Sequence, residues 1–179
     1  MSEIKPRIWG IGLPRCAGQT LQQALAHFLQ PGERIIHSPA WNWDNLQPTD
    51  PFFRGAVEVF APLPWIERHY PGSFYVFNIR DREVWLQSCL KHWTRSHVQN
   101  WMHPLWRYHW TQFEDYARSY LDERWDYLNH YVDSDRWISW DITHNPSWEP
   151  LEELFDYILP DPKPPFPNKD RYRVKSVSA

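Results

Sequence analysis

The stretch Arg7-Ile-Trp-Gly-Ile-Gly-Leu-Pro-Arg15-Cys16-Ala17-Gly18-Gln19-Thr20-Leu21 decides the reading of this chain. An apolar strand runs into a tight loop that carries a cation and a glycine, and a helix follows over Thr20 to Phe28. That order gathers backbone N–H groups and a helix N-terminus around one point, where a phosphate or sulfate group is stabilised. Arg15 adds a permanent positive charge and Thr20 a hydroxyl donor. The run is not the nucleoside-triphosphate loop GxxxxGK[ST], because Leu13 to Thr20 lacks the Gly-Lys-Ser/Thr ending. Taken alone it also fits a plain strand–turn–helix junction with Gly18 in the turn and Arg15 in solvent.

A second segment changes the balance. Tyr70-Pro-Gly-Ser turns into the apolar run Phe74 to Ile79, which suits a buried strand, and Arg80 stands at its C-terminal end. Asp81 is placed to cap a helix in which Val84, Trp85, Ser88 and Cys89 recur at helical spacing. Ser88 therefore falls about two turns into the helix that Arg80 precedes. Ligands of open α/β sheets collect beyond the carboxyl ends of the strands. Two cationic loops that each follow a strand can thus face one crevice.

Outward from these runs, Arg34 to His37 reads as a second strand and Gly55 to Phe60 as a third, with Ala40 to Arg54 irregular between them. Pro64 to His69 is a short helix with proline in its first turn. The helix from Asp81 extends to about His97, and Thr111 to Val132 has the apolar spacing of a long amphipathic helix. Arg136 to Asp141 is a last strand, and Trp148 to Tyr157 a last helix capped by Ser147. The prolines of residues 160–168 form an extended strap, and residues 169–179 a loose basic tail. Strands alternating with helices predict one α/β domain over residues 1–179, a three-layer sandwich with a central parallel sheet.

Composition narrows the class. A net charge of −3 argues against general nucleic-acid binding, although a local cationic pocket needs only a few arginines. No run approaches the ~20 apolar residues of a membrane span, and the N-terminal residues lack an apolar signal core. An intracellular, cytoplasmic protein is the expectation. Two cysteines, Cys16 and Cys89, make no disulfide framework. Aromatic residues crowd between Thr94 and Tyr108, as a helical hairpin on the sheet or as a lid over a flat ligand.

The two anion motifs together resemble the sulfotransferases that use 3′-phosphoadenosine 5′-phosphosulfate (PAPS). Pro14-Arg15-Cys16-Ala17-Gly18-Gln19-Thr20-Leu21 resembles their 5′-phosphosulfate loop, commonly Pro-Lys-Thr-Ala-Gly-Thr-Thr-Leu or Pro-Arg-Ser-Gly-Thr-Thr-x-Leu. Arg80 and Ser88 resemble the 3′-phosphate motif Arg-x7-Ser. Trp148-Glu149-x-Leu151 through Pro165-Phe166-Pro167-Asn168 is similar to the closing segment of one branch, so the likeness runs over about residues 7–170. The resemblance implies a P-loop NTPase-like fold and transfer of the sulfuryl group from PAPS, as co-substrate, to a hydroxyl or amine of a small molecule or glycan. It implies nucleotide contacts from Arg15, Cys16, Ala17, Gly18, Gln19, Thr20, Leu21, Arg80 and Ser88, with Arg15 also neutralising charge on the leaving phosphate. No metal is required, and no metal-ligand spacing is evident in the sequence.

Three departures qualify that likeness. Arginine replaces the usual loop lysine at Arg15, giving a planar fork in place of a point charge. Gln19 stands where threonine is common, and the stretch before Tyr70 that usually supplies acceptor contacts and the base is short. His37 and Glu58 are the candidate bases, the first because imidazole titrates near neutrality. Each can equally be an ordinary surface or strand residue. Two other classes stay open: a non-catalytic nucleotide- or sulfate-binding protein of the same fold, and a P-loop nucleotide kinase or NTPase.

Overall fold

Five short apolar runs become strands, and the alternation of their side chains builds two separate cores. The computed structural model describes residues 6–13, 16–37, 50–59, 61–93 and 110–167. Strands β1 (Ile8–Gly10), β2 (Arg34–His37), β3 (Phe53–Val57), β4 (Phe74–Asn78) and β5 (Trp137–Trp140) form one sheet in the order β2-β3-β1-β4-β5. Every pairing is parallel. The helices are α1 (Gly18–Leu25), α2 (Leu63–His69), α3 (Arg82–Trp93), α4 (Trp110–Tyr131) and α5 (Glu149–Phe155).

Successive strand residues point to opposite faces. Ile8, Val57, Val76 and Trp140 pack with Leu21, Ala24 and Leu25 of α1 and Leu151 and Leu154 of α5. Trp9, Ala56, Tyr75 and Phe77 turn the other way, onto Leu63 and Ile66 of α2, Leu128 of α4 and Val132 just beyond its end. Burial on both faces explains why these strands are nearly continuous apolar runs rather than alternating ones. The expected parallel α/β sheet with helices on both sides is what forms. Leu21, Ala24 and Leu25 are fully buried, so the stripe at spacings of three and four holds α1 to the sheet. Truncating Leu21 to alanine costs about 2–5 kcal/mol.

Element ends differ from the sequence reading in physically explicable ways. Helix α1 starts at Gly18, and a 3-10 turn over Ala26–Phe28 replaces its expected last turn. Strand β3 begins at Phe53 and stops at Val57, because Glu58 takes a left-handed φ of 58° that no strand continues through. Asp81 does cap α3, accepting the Val84 N–H at 3.0 Å. Ser147 does not cap α5: the residue before that helix is Trp148, with no side-chain cap, and the Ser147 hydroxyl bonds the Glu149 carboxylate instead.

The strap is tied down at three points. Trp148 Nε1 donates to Pro164 O at 2.8 Å, Lys163 Nζ bonds Glu152 Oε2 at 2.8 Å, and Phe166 packs on Trp140 and Trp148. Among the described residues, no helix is long and apolar enough to cross a membrane. Pro14 and Arg15, the aromatic stretch 94–108 and the tail 169–179 lie outside the described residues.

Candidate functional site

The chain goes to one side of β1 for β2 and β3 and to the other for β4 and β5. The loop after β1 therefore opens at the carboxyl edge of the sheet, at the point where strand order reverses. Cys16 N–H donates to Leu13 O at 3.2 Å, closing a turn, and Ala17 then takes a left-handed φ of 62° before α1 begins. A left-handed residue followed by right-handed ones curls successive N–H groups toward a common point, a backbone nest that suits anions. Any helix start also leaves its first-turn N–H groups facing outward, at the positive end of its dipole. Gly18 is buried, Gln19 exposed and Thr20 half-buried. Leu21 serves the loop by packing, since its N–H is already bonded to Ala17 O at 2.9 Å.

Asn78, the last residue of β4, fixes the loop's shape. Its Oδ1 accepts the Gly12 N–H at 3.0 Å and its Nδ2 donates to Cys16 O at 2.7 Å. A primary amide carries a donor nitrogen and an acceptor oxygen side by side, so one short side chain serves both loop groups. The side chain is 1% exposed, so neither loop group has water as a substitute. Gly12 is required there for space: a Cβ on it lies 2.1 Å from the Asn78 carbonyl oxygen. The sequence reading missed Asn78 by absorbing it into the apolar run Phe74 to Ile79; the signal was a polar residue at the last strand position.

Position 16 is structural. Cys16 packs with Leu13, Trp85, Leu86 and Cys89, which seats α3 against the loop. Burial pushes its thiol far above the ordinary range, with Cys89 adding to the rise and Arg80 opposing it. Such a thiol is no nucleophile. Arg80, just beyond β4, lowers the Cys16 thiol while Glu58 and Asp141 raise it, so all three charges are felt at the loop. Arg80 is half-buried, and Ser88 is half-buried one residue before Cys89 on the helix that seals the loop.

His37 and Glu58, from the ends of neighbouring strands, do come together. His37 Nε2 lies 3.4 Å from Glu58 Oε1, and both side chains are largely buried. Glu58 also reaches the start of α1, so that a Cβ on Gly18 meets Glu58 Oε1 at 2.5 Å. The left-handed backbone at Glu58 costs about 1–2 kcal/mol. A carboxylate at a helix N-terminus recovers part of that through the dipole. Strain of this kind persists only where surrounding contacts hold it.

Asp141 follows β5 on the same edge. Burial opposes its ionisation, but hydrogen bonds from Thr143 and His144 outweigh this and hold the carboxyl below its usual range. The His144 ring is bound through Nδ1 at 2.7 Å from Asp141 Oδ2. Among the described residues, no group of three or more His, Cys, Asp or Glu is arranged to hold a metal ion.

The chain is thus a parallel α/β sheet whose carboxyl edge sets a loop and helix start beside the His37–Glu58 pair. No protein-family model matches the chain, and no curated protein matches it either.

Proposed function

We propose that this protein is a PAPS-dependent sulfotransferase with a P-loop NTPase-like fold, transferring a sulfuryl group to a hydroxyl or amine by in-line displacement. One observation carries the reading most: a nest-and-helix anion loop, braced by Asn78, shares an edge with the His37–Glu58 pair. The resemblance of residues 14–21 and of Arg80 with Ser88 to the two nucleotide motifs of that family supplies the chemistry. The nest at Ala17 and the first-turn N–H groups suit the 5′-phosphosulfate, and the charge of Arg80 near Cys16 suits the remaining phosphate.

PAPS supplies the activated sulfuryl group; the chain's own residues bind, orient and move a proton. Arg15 and the N–H groups of Ala17 to Thr20 offset the negative charge around the transferred group, which is mainly positioning plus electrostatics. Glu58 Oε1 faces His37 Nε2 at 3.4 Å, a charge contact without a hydrogen bond, and Nδ1 of the ring is the nitrogen assigned to take the acceptor's proton. Glu58 is then the orienting partner and His37 the base.

Isothermal titration and a transfer assay test this together. The purified chain is expected to bind 3′-phosphoadenosine 5′-phosphate and to transfer sulfate from PAPS to a member of a hydroxyl and amine acceptor panel. Arg15→Ala is expected to lower transfer far more than binding. Binding with no transfer to any acceptor leaves a nucleotide-binding protein, and magnesium-dependent ATP turnover without PAPS binding replaces the reading altogether.

A further inference from the structure

Position 124 carries a charge where an apolar residue is expected. Along α4, Ala117, Tyr120, Arg124 and Leu128 fall on one stripe that Val132 continues just past the helix, and all five are buried, Arg124 being 5% exposed. A guanidinium in such a place needs a specific structural partner, because a charge is costly to bury unless hydrogen-bonded. Arg124 Nη2 donates to Val59 O at 3.3 Å and to Ala61 O at 3.0 Å. Tyr120 Oη donates to the same Val59 O at 3.0 Å, and the guanidinium lies 4.1 Å from the Tyr120 ring centre. Val59 N–H is bound in turn to Gly10 O at 3.1 Å, the last residue of β1.

These bonds converge on the backbone that follows Glu58, the residue with the left-handed φ. We propose that Arg124 and Tyr120 are positioning residues for the reacting centre. They clamp the Val59 and Ala61 carbonyls so that the Glu58 carboxylate stays against Gly18 and His37. Released from the clamp, Glu58 can relax to an ordinary φ, which swings its carboxylate away from the start of α1. The inference rests on the sulfotransferase reading for the meaning of Glu58, whereas the clamp itself is a matter of geometry.

The test uses the full chain carrying Arg124→Met, Arg124→Lys or Tyr120→Phe, with Glu58→Gln as reference. The ¹⁵N–¹H resonance of the Gly18 amide reads the position of Glu58 without any assay of activity. Arg124→Met is expected to move it in the direction that Glu58→Gln does, and Arg124→Lys and Tyr120→Phe by less. Turnover of PAPS is expected to fall about 10- to 100-fold in Arg124→Met, as a displacement near one ångström does, while the Kd for 3′-phosphoadenosine 5′-phosphate changes less than about 3-fold. Should Arg124→Met not fold, the two milder variants carry the same comparison. A Gly18 resonance unmoved in the folded variants overturns the clamp, as does an equal loss of turnover and of nucleotide affinity. A wild-type chain that neither binds nor turns over PAPS defeats the proposed function alone, and the Gly18 resonance still decides the clamp.

Discussion

The two edges of the sheet handle charge in opposite ways. At the amino edge, polar groups close on one another: Glu67 accepts from Tyr75 Oη at 2.6 Å and from Arg136 Nη1 at 3.2 Å, and Arg136 Nη1 also reaches Ser73 O. Arg34 pairs with Asp50, and the Arg7 guanidinium stacks on Phe53 and Tyr70. At the carboxyl edge the backbone is strained at Ala17 and Glu58, and two glycines make room for neighbours rather than for turns. An edge whose polar groups satisfy each other adds stability. The other edge keeps a strained backbone at Ala17 and Glu58, which persists only because the surrounding structure enforces it, and the proposed function makes that edge the ligand-binding one.

Substitutions can break that contrast, beginning with the largest expected effect. Gly12→Ala forces a Cβ into the Asn78 carbonyl, and a loss of about 3 kcal/mol or more in urea unfolding is expected, together with loss of nucleotide binding. Asn78→Ala leaves the Gly12 N–H and the Cys16 carbonyl unpaired in a buried place. About 2 kcal/mol of stability and about tenfold in affinity for 3′-phosphoadenosine 5′-phosphate are expected to go. Glu67→Gln is the matching change at the amino edge, expected to cost about 1–2 kcal/mol in the same unfolding experiment while leaving nucleotide affinity alone. If it weakens the nucleotide as much as Asn78→Ala does, the two edges are not distinct in role.

The smallest effect is one of pH. The Asp141 carboxyl is held below its ordinary range in the folded chain. Its contribution to stability is therefore complete above that range and is lost as pH falls through the folded value. The stability difference between wild type and Asp141→Asn is expected to shrink between about pH 5 and pH 2. A constant difference across that interval removes Asp141 from the account.

What the sequence revealed, and what it hid, follows from how far each signal reaches. Asp81 as a cap is a local signal, resolved within four residues, and it holds. The pairing of His37 with Glu58 was open to the sequence only as two separate candidates, His37 ending one strand and Glu58 inside the next. Their contact depends on β2 and β3 lying side by side, which parallel pairing decides. Ser147 misled because a serine before an apolar run is a cap only when the helix starts directly after it, and Trp148 intervenes. Asn78 and Arg124 act across 62 to 66 residues of chain. No local pattern shows that, although a charge inside the apolar stripe of α4 was visible in the spacing. The stop of β3 at Val57 was hidden because left-handed backbone at a glutamate has no sequence signature.

The central claim is that one edge of this sheet holds a nucleotide by both of its phosphate ends, with Arg80 at the 3′ end. Isothermal titration of wild type and Arg80→Ala, each against 3′-phosphoadenosine 5′-phosphate and adenosine 5′-phosphate, tests it directly. The account predicts that wild type prefers the bisphosphate by about 100-fold and that Arg80→Ala loses most of that preference while binding the monophosphate as before. Equal affinity of the wild-type chain for the two nucleotides contradicts it.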